Sequence, residues 1–282
     1  MDSEHLRTNL RILCSYVGSV AECSRRIGIN RQQFSKYLNG YSQPSVQSLR
    51  KICDYFGVDV DEIYLDPDVF KSIISTNKKS LSSSSMFEDT PQGARYTKQL
   101  KGMMDNSIAG LERYLGDYYY YYITPSYKNS VSKGFARLSI KNGVGYSHFY
   151  EHAEPEQAML NGAEIGKFVG LVFMLGERIQ IIDYSVHCQR AISQTILYGA
   201  TKGSIELLSG LTIGIQGRNS RIPFTSRVVF EKISSNASLR EKLSGVKLLS
   251  MDDQQLPASI LTRLTTSSSI DNPHIFTPAE NY

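Results

Sequence analysis

Cysteine is scarce in this chain of 282 residues, and the four present, Cys14, Cys23, Cys53 and Cys188, make no CxxC pair. No disulfide framework is spelled out, and thiols among apolar neighbours read as small hydrophobes in a reducing compartment. No uninterrupted apolar run approaches membrane-spanning length, and the N-terminus opens on Asp2, Glu4 and His5 in place of a basic stretch with an apolar core. Neither a membrane partner nor a secretory leader is expected on that reading, and a cytoplasmic location is. An excess of charge of one sign is lacking too. A formal net charge of +4 is too small for a polyelectrolyte that coats nucleic acid, so any basic surface has to be local.

What is present changes character part-way along, so two domains are expected. In residues 1–66, Leu6, Leu10, Leu13 and Val17 form one apolar stripe at helical spacing. Ser19 with Glu22, Asn30 with Gln33, and Asp59 with Glu62 repeat a pattern in which side chains satisfy free amides at a helix start. Gly28, Gly40 and Gly57 mark helix ends, and Pro44 with Ser45 opens a fourth helix. Residues 67–98, with a serine run from Ser80 to Ser85, read as a flexible linker. A helix should follow, with Leu100, Met103, Met104, Ile108, Leu111 and Leu115 on one buried face.

Beyond that helix the period becomes two. Residues 132–141 and 144–152 flank Asn142-Gly143, a strong hairpin signal, and 166–175 and 178–184 flank Gly176-Glu177. Further strands are expected over 117–124, 191–198, 204–216 and 224–232, with helices near 236–243 and 256–264 and a loosely ordered tail over 266–282. The predicted fold class is α+β: an all-α head, a flexible linker, and an antiparallel β-rich domain over 99–265 that forms a curled sheet or partial barrel with helices.

The segment Ser19 to Gly40, SVAECSRRIGINRQQFSKYLNG, resembles the helix-turn-helix of the phage-repressor and Cro-type regulators, the XRE family. The likeness continues through PSVQSLRKICDYFGVDVDEIYL to Leu65. It implies a lambda-repressor-like head whose second helix lies in the major groove of double-stranded operator DNA. That helix should be Arg31 to Leu38, with Phe34, Tyr37 and Leu38 inward. Arg31, Gln32 and Gln33 are then the candidates for base edges, because Arg suits guanine and Gln suits adenine. Ser35 and Lys36 are expected to touch phosphate or the groove wall, with Ser19, Asn30 and Asn39 at the helix ends completing the DNA-facing set. Arg25, Arg26, Arg31, Lys36, Arg50 and Lys51 stand in a stretch without one acidic residue, which supplies the local positive face. Val20 and Ser24 depart from the family pattern, where Gln and Ala are usual.

Three other constellations stand outside that motif. His148 and His152 fall on one face of a strand near Glu151 and Glu154, with His187-Cys188 further on, yet a half-exposed strand explains them and no metal or other cofactor is expected. Ala109-Gly110 invites comparison with self-cleaving repressors, but the Gly-Asp-Ser-Met context of their nucleophile is missing and the pair falls in a helix, so no enzyme is expected. Tyr118 to Tyr122 are consecutive tyrosines that must alternate between faces. Core packing is the plain explanation; the sharper one is a ligand pocket lined by Tyr118, Tyr120, Tyr122, Phe168 and Phe173.

The function expected is a transcription regulator binding an inverted-repeat operator as a homodimer, with its C-terminal domain a sensor for a small-molecule or protein effector. The alternatives are a phage-type repressor whose C-terminal domain only oligomerises or receives an antirepressor, and a self-cleaving protease-repressor.

Overall fold

The computed structural model describes residues 3–74, 91–152, 165–186, 191–199, 205–216, 221–234 and 236–266. The head begins with α1 (Ser3–Val17), α2 (Val20–Ile27), α3 (Arg31–Asn39) and α4 (Val46–Phe56), followed by a 3-10 turn at Glu62–Tyr64. Leu6, Leu10 and Leu13 of α1 are buried against Cys23, Ile27, Phe34, Ile52 and Cys53. Gly28 takes φ 72, a left-handed conformation open to glycine at little cost, and its amide closes α2 on Arg25 and Ser24 carbonyls. Burial pushes the Cys23 and Cys53 thiols up to about 12, so they act as packing groups. Cys188 lies outside the described residues.

The stretch expected as linker contains more order than its composition predicts. Pro67–Ile73 forms α5, capped by Asp66 and seated in the head core by Phe70 and Ile73. Pro67 stands at the helix start, where its missing N–H loses no hydrogen bond. Pro91–Asp105 forms α6, while the serine run lies outside the described residues. The long helix expected through Leu115 is interrupted. After α6 the chain turns at Ser107, whose buried hydroxyl accepts from the Met174 amide, then makes α7 (Ile108–Leu111) and a 3-10 turn at Glu112–Tyr114. Leu111 is fully buried, whereas Leu100 and Met103 are 39% and 41% exposed, so the expected buried face exists only after the break.

Eight antiparallel strands follow: β1 (Gly116–Ile123), β2 (Ser130–Lys141), β3 (Val144–His152), β4 (Ile165–Leu175), β5 (Arg178–Ser185), β6 (Ile192–Tyr198), β7 (Leu207–Ile215) and β8 (Pro223–Lys232). Each pairs with the next, and β1 also pairs with β8, so the expected curled sheet closes into an up-and-down barrel. Asn142 and Gly143 take φ 52 and 76, and Gly176 and Glu177 take φ 56 and 63, the paired left-handed residues that tight hairpins need. Then come α8 (Leu239–Leu243), the short strand β9 (Lys247–Ser250) on the edge of β2, and α9 (Ala258–Thr265), which covers the outer face over Tyr121, Val131 and Val229. The strand β9 carried too few residues for a period-two signal.

Head and barrel share one core. Phe135, Tyr150, Leu239 and Leu243 belong to the same buried cluster as the head helices. Charges cross this contact as well. Lys167 on β4 places Nζ 2.6 Å from Glu62 Oε1, with both side chains all but inaccessible. Tyr150 donates to the same carboxylate oxygen, and the Asp59 amide donates to the other at 2.7 Å. Asp59 bonds Lys141 at 2.9 Å, and Arg137 bridges Asp61 of the head and Asp117 of β1. Although burial opposes it, His148, protonated in the acid range where Asp59 titrates, together with Lys141 and Lys167 holds the Asp59 carboxyl down at about 2. His148 is pushed down to about 4, by burial first and then by the Lys167 ammonium, so it is neutral beside Asp59.

Lys167→Met leaves the Glu62 charge buried without its cation and should lower unfolding free energy in urea by roughly 3–5 kcal/mol, while Lys167→Met with Glu62→Gln should recover most of that loss. A single variant no less stable than the double would contradict the pairing. For His148, the unfolded chain takes up a proton near pH 6.5 and the folded chain only near pH 4, so its contribution to stability is full at neutral pH and declines across that window. Relative to wild type, His148→Gln should therefore gain about 3 kcal/mol between pH 7 and pH 4 in chemical unfolding. A pH-independent difference would mean that His148 is already charged in the fold.

Candidate nucleic-acid interface and barrel cavity

The pair α2 and α3 is held by caps at every end. Ser19 Oγ accepts the Glu22 amide at 3.1 Å, and Asn30 Oδ1 accepts the Gln32 and Gln33 amides at 2.9 and 3.4 Å. At the far end Arg11 of α1 donates to the Leu38 carbonyl at 2.9 Å, a long-range cap that sequence spacing did not reveal. Phe34, Tyr37 and Leu38 turn inward, and Ser24 is buried at the close approach of the two helices, its hydroxyl bonded to Ala21. Val20 packs against the head core.

This arrangement leaves Arg31, Gln32, Lys36 and Asn39 exposed on α3, with Ser19 and Asn30 exposed at the helix starts. Gln33 and Ser35 are partly buried, and the Gln33 amide lies 3.5 Å from Ser42 Oγ. Gln33 is thus engaged by the loop after α3, and reading a base would require it to leave Ser42. Arg25 and Arg26 both pair with Glu22, which stands just before the acid-free stretch and offsets one of their two charges. Among the described residues Arg31 and Lys36 form no ion pair, and with exposed Arg50 and Lys51 they supply most of the positive potential of the face. Tyr41, in the loop after α3, is 83% exposed beside that helix.

The second feature is a cavity of about 100 Å³ at one end of the barrel, with Tyr120, Tyr122, Phe149, Phe168 and Phe224 on its walls. Tyr120 and Tyr122 donate to Glu151 Oε2 at 3.2 and 3.1 Å, and Ser193 donates to Asp183. Gly134 faces Tyr120 across β1 and β2, where any Cβ would lie within 2.3 Å of the ring, so glycine makes room for the tyrosine inside the barrel. Burial raises the Asp183 carboxyl to about 7; the Ser193 hydroxyl opposes this and the Glu151 charge adds to it. Tyr120, Tyr122 and Phe168, expected in a pocket, come together here. Tyr118 and Phe173 do not. Tyr118 packs deeper in the barrel core and donates to the Tyr114 carbonyl, and strand alternation puts Phe173 on the opposite face from Phe168, Val172 and Met174.

His148 and His152 share the outer face of β3 while Glu151 faces the cavity, and no group of three metal-ligating side chains occurs among the described residues. Glu154, His187 and Cys188 lie outside those residues. Ala109-Gly110 lies within α7, as expected, where its backbone is helical. No helix among the described residues is long and apolar enough to cross a membrane.

Capped paired helices with an exposed, basic second helix define a DNA-binding head of a transcription regulator. A family model described as a helix-turn-helix, of the XRE type, matches residues 19–63. No curated protein and no solved structure matches the chain.

On duplexes selected from a random pool, Arg31→Ala or Gln32→Ala should weaken specific binding by roughly 1–3 kcal/mol with little change on random DNA, whereas Lys36→Ala should weaken both. Gel shifts at fixed salt decide it. Unchanged specific affinity in the first two variants would displace α3 from the reading position.

Proposed function

We propose that this protein is a ligand-responsive transcription regulator that binds an inverted-repeat operator as a homodimer, acting as a binding switch without catalysis. One observation carries the regulatory part: β3 and β4 are a wall shared by the cavity and the head. On β3, His148 and Tyr150 face Asp59 and Glu62, while Phe149 and Glu151 face the cavity. On β4, Lys167 meets Glu62 and the next residue, Phe168, lines the cavity. A ligand that shifts the inner residues must act on the outer ones, since both hang from the same backbone. That supports coupling between cavity occupancy and the pose of the DNA-reading helix.

Dimerisation has its own support. On the outer face of β5, β6 and β7 stand Ile182, Tyr184, Ile192, Ile196, Ile213 and Ile215, with Ile192 and Ile213 67% and 51% exposed. They are neighbours through the register, with Tyr184 opposite Ile192 and Gln194 lying between Ile182 and Ile213. Such a largely apolar face, broken by Gln194, suits a second copy of itself about a two-fold axis, and a two-fold dimer suits an operator of two half-sites.

Ile213→Asp should leave the fold intact, convert the protein to monomer in light scattering at micromolar concentration, and weaken operator binding at least about tenfold, since paired half-sites are lost. A variant that is still dimeric would assign this face to another partner, such as an antirepressor protein.

A further inference from the structure

The cavity is specific enough in its chemistry to name a class of ligand. We infer that it takes a small organic ammonium ion, an inference that rests on reading the barrel as the sensing unit. Size sets the first limit. At about 100 Å³ the cavity has room for about three waters' worth of volume, well below the roughly 300 Å³ that drug-sized ligands need.

Charge sets the second. Asp183 is 4% exposed and lines the cavity together with Glu151, and no Lys, Arg or His lines it among the described residues. Tyr120 and Tyr122 of β1 and Glu151 of β3 are the other titratable groups there. Burial, with the Glu151 charge adding to it, makes the Asp183 charge unfavourable, and a cation beside it would favour that charge. An anionic ligand would face two carboxyl groups.

The walls set the third. The rings of Tyr120, Tyr122, Phe149, Phe168 and Phe224 supply apolar surface for a carbon chain and π-systems that attract an ammonium group. Ser193, Thr195 and Thr212 add hydroxyl oxygens that can accept its N–H groups. A bare metal ion suits this set poorly, because only two carboxyl groups converge and the rest of the lining is aromatic or hydroxyl.

The test uses the full-length protein at pH 8, above the raised Asp183 value of about 7, with ethylammonium chloride as probe, ethanol and sodium acetate as neutral and anionic counterparts, and potassium chloride at equal ionic strength. Calorimetry and thermal melting should detect saturable binding of ethylammonium and of neither counterpart. Asp183→Asn, which keeps the shape, should weaken it at least about tenfold, and Phe168→Leu, which removes a ring without a charge, should weaken it too. Equal binding of acetate or ethanol, wild-type affinity in Asp183→Asn, or no ethylammonium binding would each overturn the inference. Operator affinity measured on the same samples separates the two claims. Ethylammonium bound with operator affinity unchanged would remove the sensing role and keep the cation site.

Discussion

The contact between Glu62 of the head and Lys167 of the barrel constrains everything around it. Two charges removed from water contribute little net stability as a pair, but either one alone in that place costs several kcal/mol. The Glu62 carboxylate is therefore surrounded on all sides: Lys167, the Tyr150 hydroxyl and the Asp59 amide occupy its oxygens. A head that slid across the barrel while keeping its apolar contacts would strand that carboxylate in a dry site. The hydrophobic part of the interface, through Phe135, Tyr150, Leu239 and Leu243, sets how strongly head and barrel adhere, and the charges select one register for them.

From that register the functional geometry follows. Side chains alternate along a strand, so a residue fixed against the head obliges its neighbours to point into the barrel. His148, Tyr150 and Lys167 on one side thus determine Phe149, Glu151 and Phe168 on the other. Closure of the barrel does the rest. Eight strands leave an interior just wide enough for side chains, and here Tyr118, Phe230 and Leu138 fill one part of it while Asp183, Glu151 and the hydroxyl-bearing strands leave a polar cavity in another.

The elements were largely legible because their signals are local. Ser19, Asn30 and Gly28 act on backbone groups within four residues of themselves, and Asn142-Gly143 shapes the turn it occupies. The recognition helix was legible for the same reason, down to its inward Phe34, Tyr37 and Leu38. Where local rules competed with a distant partner they gave the wrong answer. Residues 67–73 read as linker until Phe70 and Ile73 find the head core, and the helix toward Leu115 ends where Ser107 bonds the Met174 amide.

By itself, then, the sequence determined the helix-turn-helix, its DNA-facing residues as candidates, and a β-rich second part with most of its strands. Only the tertiary structure decided that the sheet closes, that Phe173 faces away from the cavity, and that Glu62 and Lys167 meet. The reason is physical. Periodicity and capping are set by backbone geometry over a few residues, whereas a buried ion pair joins side chains far apart in the chain, each of which in isolation reads as a solvated surface charge.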